Sequence, residues 1–416
     1  MERLHNQPDR YARTRRLYDR SRTESTRSRW RHPRFVRLII FCGGKKTDVN
    51  NQSIQYDYEL TSKEKIKSFE LDNDTYYNAF YLYVFKDSLG QEYLSFLNYR
   101  TNQILFYDFS SCQLLFKIEL AHEGSHGVSR ISGYYIKDWN NIYISSYGIS
   151  GLIKIDTAGL VCQKISYGKT NEGYEIVPSY DPSSRPYIPP IFIDSKIYIT
   201  QKAVDRLYAA TQTPISVVID TLNKSFIQCP FFYGDILTKD YLNKSGDTRF
   251  SRDYDGEHFI YSFYTDEHIY VTSIDHKQVR KIKVKSKYIH KIKNEIIPGN
   301  SDPNLVVKNT LERAQYGDLI YDKYRNVYYR FAYPQTELDF DNYLQRTFFG
   351  RKRFSVIILD KKFNIIGETL FPESIYNSYV FFIHSDGLYI SRDYQINYDQ
   401  SDDKLNFQLF DLRKSV

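Results

Sequence analysis

Hydrophobic and polar positions alternate in short runs along most of the chain. In residues 141–166, NIYISSYGISGLIKIDTAGLVCQKIS, three apolar runs are separated by small polar breaks, and Asp156 closes the middle run. A side-chain period of two, punctuated by turn residues, predicts antiparallel strands joined by hairpins. The stretch has relatives. A turn followed by an apolar–Tyr–apolar strand recurs at 90–96, 140–146, 195–201, 257–263, 325–331 and 387–393. A second element, an apolar run closed by an acid, ends at Asp108, Asp156, Asp220, Asp275, Asp360 and Asp411. A third strand precedes each Tyr strand, at 80–87, 133–139, 188–194, 248–254, 316–322 and 379–385.

Together with an outer strand after each tight turn, these elements describe a four-stranded antiparallel unit. Six such units predict an all-β fold, a six-bladed β-propeller of four-stranded antiparallel blades. The last unit stops at LNFQLFDLRKSV without an outer strand. The segment EKIKSFELD at 64–72 is expected to fill that place, so that an N-terminal strand closes the ring on the last blade. Each Asp can accept a backbone N–H about two residues on and tighten a hairpin. The six are therefore read as turn residues, not as six catalytic carboxylates.

Composition agrees. Aromatic residues make up 17% of the chain, with 40 Tyr and 27 Phe against 2 Trp, which favours pleated, half-buried surfaces. No apolar run approaches the roughly 18 residues of a membrane-spanning helix. The net charge of +7 is unevenly placed: residues 1–46 carry 14 Lys/Arg and 4 Asp/Glu, and the remainder carries 43 and 46. The body is close to neutral, and nucleic acid is not expected as a partner. The run KQVRKIKVKSKYIHKIK at 277–293 alternates with Val and Ile as a strand with one solvated face would, a polyanion-binding stripe being the alternative. The four cysteines form no CxxC pair, which argues against a Cys zinc site. Cys112 and Cys162 are expected in strands as small hydrophobes, with a lone disulfide as the alternative.

Residues 1–34 differ from the rest and hold 11 of the 27 Arg. RFVRLIIFCGGKKTD follows, in the order of a bacterial lipoprotein signal: charged, apolar, Cys, then small and polar. The expected organisation is a basic leader and signal at 1–42 with Cys42 lipidated, a flexible tether at 43–62, and the propeller at 63–416. Only Leu38 to Phe41 are uninterrupted and apolar, whereas a signal core needs roughly 7–15 such residues. Met1 is the only Met. The expectation is that residues 1–34 reflect a misassigned or frame-shifted start. The alternatives are a free Cys42 behind a disordered basic arm, and an arm that binds polyanions.

Long connections, at about 167–187, 202–213, 229–247, 285–315, 333–353 and 392–404, fall on one face, and short turns fall on the other. Long loops on a rigid scaffold are the usual carriers of function. The site is expected there, over the central channel, with Arg100, His122, Glu123, His126, Arg130, Tyr147, Arg185, Arg249, Arg252 and Arg392 as ligand-binding candidates. Several Arg converging could clamp an anion, although each also fits a structural role between blades. His122 to His126 spell HExxH, but a zinc protease needs that motif on a helix. Gly124 and Gly127 argue against one, so the string reads as a tight loop.

The string HEGSHGVSRISGYYIKDWNNIYISSYGISGLIKIDTAGLV resembles an uncharacterised family of six-bladed propeller-like lipoproteins of Gram-negative anaerobes. That family repeats Glu-Gly-x-x-Gly-Val, Gly-Tyr/Phe, Asp-x-Ile-Tyr and apolar-Asp-x-x-Gly. The resemblance spans about 60–416. It implies the propeller and attachment to the envelope through a lipidated Cys, and implies no chemistry. Ser125-His126-Gly127 stands where the family's Glu-Gly loop usually continues Pro-Asn-Gly. There is no GxSxG elbow and no Gly-rich phosphate loop. The expected function is a non-catalytic ligand- or protein-binding propeller on the bacterial cell envelope, monomeric and without cofactor. Its expected partner is an envelope protein, a peptide or a glycan. The alternatives are a propeller hydrolase or lyase with a calcium-like ion in the central channel, and a structural role in an envelope assembly.

Overall fold

The structure, a computed structural model, describes residues 56–75, 82–178, 188–203, 210–243, 247–293, 302–338, 349–394 and 403–415. All belong to one unit, Ile54–Val416. Arg185 and Cys42, with the leader and most of the tether, lie outside the described residues.

The fold is all-β with a propeller-like arrangement. One sheet comprises β2 (Leu82–Lys86), β3 (Glu92–Asn98), β4 (Gln103–Asp108) and β5 (Leu114–Glu119). The next comprises β6 (Ile131–Asp138), β7 (Asn141–Ser146), β8 (Ile149–Ile155) and β9 (Val161–Ser166). The third holds β10 (Ile191–Ile193), β11 (Lys196–Thr200), β12 (Ser216–Asp220) and β13 (Ser225–Gln228). The fourth holds β14 (Phe250–Tyr254), β15 (Phe259–Phe263), β16 (His268–Thr272) and β17 (Val279–Lys283). The remaining strands are β1 (Tyr58–Glu70), β18 (Gln315–Asp322), β19 (Val327–Tyr333), β20 (Ser355–Leu359), β21 (Ile365–Leu370), β22 (Asn377–His384), β23 (Gly387–Ser391) and β24 (Lys404–Lys414). They form a single eight-stranded sheet, ordered β18-β19-β20-β21-β1-β24-β23-β22.

Six separate sheets were expected; the structure has four, plus one of eight strands. The reason lies in β1. It pairs antiparallel with β24 from Tyr58↔Lys414 to Glu70↔Lys404, which is the expected ring closure, but Tyr58 also pairs in parallel with Gly367 of β21. A Cβ on residue 367 would stand 2.2 Å from the Tyr58 carbonyl oxygen, so only glycine permits this approach. The closing strand is also longer than the segment 64–72. It starts at Tyr58, inside the stretch expected as tether, because Leu60 is buried as well as Phe69.

Alternation along the strands fills the spaces between sheets. Phe106 and Ile144 meet between the first two sheets, Leu152 and Ile199 between the second and third, and Val218 and Tyr261 between the third and fourth. Val271 packs with Tyr328, Ile358 with Ile390, and Phe407 with Phe96, the last returning to the first sheet. The first strands lie innermost, where β14 touches β18 and β2 touches β22. Fourth strands such as β9 and β17 are largely exposed, so the basic run at 277–293 is a solvated outer strand over β17.

Five of the six Asp residues make the expected turns. Asp108 accepts from Ser111 N at 2.6 Å, Asp156 from Ala158 N at 3.0 Å, and Asp220 from Leu222 N at 3.0 Å. Asp275 accepts from Lys277 N at 3.2 Å and Asp360 from Lys362 N at 2.8 Å. Asp411 differs: β24 runs past it to pair with β1, and its carboxylate meets Lys63 at 3.0 Å. Cys112 lies in the β4–β5 turn at φ +61°, not in a strand. Cys112, Cys162 and Cys229 are all free thiols.

The seam between the closing strand and the first sheet is held by charge. Asp386, in the β22–β23 turn, takes Lys65 Nζ at 2.6 Å and the Tyr389 hydroxyl at 2.9 Å, and also bonds His384 Nδ1. His384 Nε2 lies 3.1 Å from Glu92 of the first sheet. Burial alone would raise the Asp386 carboxyl; the Lys65, His384 and Tyr389 bonds overcome it and hold the group at about 2. A carboxyl depressed in the folded state lends stability above its unfolded value, roughly 3.9, and loses it as pH falls through the folded one. Wild-type protein is therefore expected to lose about 1 kcal/mol more than Asp386→Asn between pH 5 and pH 2, measured by urea unfolding at each pH.

Candidate functional site

The best-defined cluster of the expected residues is built by three connections on one rim of the first two sheets: the β3–β4 turn, the β5–β6 connection and the β7–β8 turn. Asn102 organises it. The residue is fully buried at φ +58°, a left-handed conformation that Asn tolerates better than most residues. Its side-chain amide donates to Leu120 O at 3.2 Å and Ser129 O at 2.8 Å, and its carbonyl accepts from Ile131 N at 2.8 Å. Both ends of the β5–β6 connection are thus pinned to one side chain.

Arg130 leaves this pinned end. Its carbonyl accepts from Tyr147 N at 2.9 Å. Its guanidinium lies 5.3 Å from the ring centre of Tyr99 and 5.8 Å from that of Tyr147, within cation–π range of both. Tyr147 is 57% exposed, and Arg100, His122, Glu123 and Arg130 are exposed beside it in sequence on the same connections. This surface, aromatic and cationic with one carboxylate, suits planar or anionic groups and sugar faces.

The HExxH string forms a tight reversal within it. Val128 N donates to Ala121 O at 2.9 Å, Ser129 N to His122 O at 3.1 Å, and Gly127 N to Gly124 O at 3.0 Å. Gly124 has φ +94°, and a Cβ on Gly127 would meet the Glu123 backbone at 2.6 Å. His126 accepts from Val161 N through Nδ1 at 3.1 Å, so its ring is committed to the edge of β9 while His122 is exposed.

Two other expected ligand residues, Arg249 and Arg252, are structural. Arg249 makes a forked pair with Asp247, at 2.9 Å from Nε and 2.7 Å from Nη2, and lies over the Tyr264 ring at 5.3 Å. Arg313 shares the same carboxylate. Burial pushes the Asp247 carboxyl up, but these two guanidiniums hold it below its usual range. Arg252 is fully buried between the third and fourth sheets, donating to Pro189 O at 2.6 Å, Tyr198 O at 3.0 Å and Ser216 Oγ at 3.2 Å. Its place as the third residue of an innermost strand turns it away from the rim. Arg392 is exposed after β23, with its backbone N–H on Asn406 O at 2.8 Å. The residues missed in the sequence are Tyr99 and Asn102. An Asn in a short turn was the available signal for the second.

Among the described residues, no group of three or more His, Cys, Asp or Glu side chains is placed to hold a metal ion. No helix among them is long and apolar enough to cross a membrane.

A family model described as "Domain of unknown function (DUF4221)" matches residues 57–370. The crystal structure of a DUF4221 member from Bacteroides vulgatus is similar over 87% of this chain and all of that one, with 29% identity and a TM-score of 0.76. A candidate exported protein from Bacteroides fragilis aligns over 89% of this chain and 98% of its own, at 11% identity and a TM-score of 0.48. No curated protein matches the chain.

Proposed function

This chain belongs to the DUF4221 family, whose description assigns no chemistry, and we propose from its own surface that it is a non-catalytic binding protein of the bacterial cell envelope. The observation that carries this reading is Arg130, within cation–π range of both the Tyr99 and the Tyr147 ring on a connection that Asn102 fixes. A preorganised, exposed aromatic–Arg surface keeps the ordering cost of binding low. The partner is an envelope protein, a peptide or a glycan. The order of charged, apolar and small residues around Cys42 supports a lipid anchor that would display this rim at the membrane.

In the finer reading of the fold, the eight-stranded sheet counts as two of six units joined over a short contact. Two observations support it: the halves share a single ladder pair, Tyr58–Gly367, beside one bond from Leu60 N to Thr369 Oγ1 at 2.7 Å, and an apolar cluster containing Ile358 and Ile390 lies between them. The hydrolase or lyase alternative needs several oxygen ligands from different sheets around one ion. It has less support, because the exposed Arg130 surface offers a single carboxylate, Glu123.

A photo-crosslinking amino acid at position 147 of the full-length chain in its native host is expected to capture envelope material, with mass analysis distinguishing peptide from glycan. Arg130→Ala should reduce capture at least tenfold, about 1.4 kcal/mol. The same probe at Leu222, in the β12–β13 turn on the opposite rim, should capture none of it. Equal capture at both positions, or at neither, removes the proposal.

A further inference from the structure

The innermost strands line an open cavity of about 260 Å³ that shares no residue with the Arg130 surface. Tyr83 of β2, Asp253 of β14, Tyr321 of β18, and Phe382 and Ile383 of β22 line it, with Pro189 ahead of β10. The contributions of β14, β18 and β22 come from the last positions before their short turns. Leu82 to Val84 open β2 and Pro189 precedes β10, so the cavity lies along the innermost strands between the two rims.

Its chemistry is lopsided. The walls are aliphatic and aromatic, and one carboxyl stands among them. Asp253 accepts Tyr321 N at 2.7 Å on Oδ2 and Tyr254 N at 2.8 Å on Oδ1. Each oxygen keeps acceptor capacity beyond these bonds. Arg252 is the neighbour of Asp253 in the strand, but successive side chains on a strand point to opposite faces, and the Arg252 guanidinium is committed to Pro189 O, Tyr198 O and Ser216 Oγ. The Tyr83 hydroxyl is buried and has no partner among the described residues, although its ring packs edge-on against Tyr134 and Tyr135 at 5.6 Å. A buried donor without a partner is costly, and a ligand acceptor or a water would relieve it.

We propose that this cavity is a binding site for a compact primary ammonium compound with an apolar body, its charge on Asp253 and its hydrocarbon against Tyr321, Phe382 and Ile383. A half-buried carboxylate among apolar walls favours a cation that restores neutrality. The rings of Tyr83, Tyr321 and Phe382 add faces that attract cations. The volume lies just below the roughly 300–1,000 Å³ of drug-sized sites, which limits the occupant to a small molecule.

The same surroundings predict a pH signature. Burial raises the Asp253 carboxyl to about 7, against the pull of its two backbone bonds and of Arg252, and Asp255 adds to the rise. The other titratable groups around it are the phenols Tyr83 of β2, Tyr135 of β6, Tyr321 of β18 and Tyr328 of β19, and burial raises those of Tyr83, Tyr135 and Tyr328. An alkylammonium stays charged from pH 6 to 8, so Asp253 alone sets the trend. Affinity should fall about tenfold from pH 8 to pH 6.

The test is calorimetric titration of the full-length chain with phenethylamine, tyramine, cyclohexylmethylamine and putrescine. 2-Phenylethanol and 3-phenylpropionate serve as neutral and anionic controls. At least one amine should bind, with the tenfold pH dependence, and the controls should bind at least tenfold more weakly. Asp253→Asn should abolish the preference for the amine, and Ile383→Trp, which fills the cavity, should abolish binding. Absence of amine binding overturns the proposal, as does equal binding of 2-phenylethanol. So does an affinity unchanged between pH 8 and pH 6, a readout on wild-type protein that does not depend on any variant folding.

Discussion

A chain that begins at Thr75 is expected to lose the cooperative thermal transition of the full-length protein and to aggregate on expression. The deletion removes β1, which pairs with β24 across ten positions. About ten ladder bonds at roughly 0.5–1.5 kcal/mol net each are comparable with the whole stability of a typical domain, about 5–15 kcal/mol. Side chains go with the backbone. Phe69 is fully buried against Tyr107, Phe109 and Phe407, with ring centres at 5.7, 6.4 and 6.0 Å. Its loss opens a cavity worth about 3–5 kcal/mol in truncation experiments. The deletion also bares β24 as a long unpaired edge, the kind of surface that recruits other chains. Differential scanning calorimetry checks the first expectation and light scattering the second. Adding a synthetic peptide of residues 56–72 should restore some of the transition. A truncated protein that melts like the full-length chain would show that β1 is ornamental.

The second large effect is expected at Arg330. This residue is fully buried in β19, where charge is seldom found. Its guanidinium ties the fourth sheet to the eight-stranded one. It donates to Ser262 Oγ at 2.9 Å, Val284 O at 2.7 Å and Asp266 O at 2.6 Å, and lies 3.7 Å from the centre of the Tyr316 ring. Burial opposes the charge and moves the guanidinium below its ordinary value, to about 10, still far above neutral pH. Arg330→Ala leaves buried carbonyls without donors and a void beside Tyr316. A destabilisation of about 3–5 kcal/mol is expected from chemical denaturation. Arg330→Lys should recover only some of this, because one ammonium cannot reach carbonyls that the planar fork spans. Lys277→Ala, which removes an exposed pair with Asp275, should cost under about 1 kcal/mol.

The strands were legible in the sequence because turns and alternation are local. Tyr93, Tyr143, Tyr198, Tyr261, Tyr328 and Tyr389 each sit in a buried second strand, and five turn aspartates form the bonds their spacing implies. Closure by the N-terminal strand could be argued from an incomplete last unit. The bridge from Tyr58 to Gly367 could not, since it depends on how two distant strands approach. The helix Pro303–Glu312 falls within a stretch expected as loop, although Asp302 and Pro303 spell an N-cap and first turn, and Asn304 N does bond the Asp302 carboxylate at 2.9 Å. The site was harder. Exposed Arg and buried structural Arg look alike in a sequence, so Arg130 and Arg252 fall into one group although one faces solvent and the other ties sheets together. The Asp253 cavity was invisible because its walls come from four strands that are far apart in the chain.

The pairing of Tyr58 with Lys414, with Ser415 N on Asp57 O at 2.8 Å, places the two ends of the folded unit side by side. Tension applied between those ends would load the β1–β24 ladder in the unzipping direction. Pairs would separate in succession, starting at Tyr58 and travelling toward Glu70, instead of resisting together in shear. The fold should therefore open at low force when pulled by the ends of this seam, with Phe69, near its far end, among the last anchors to leave.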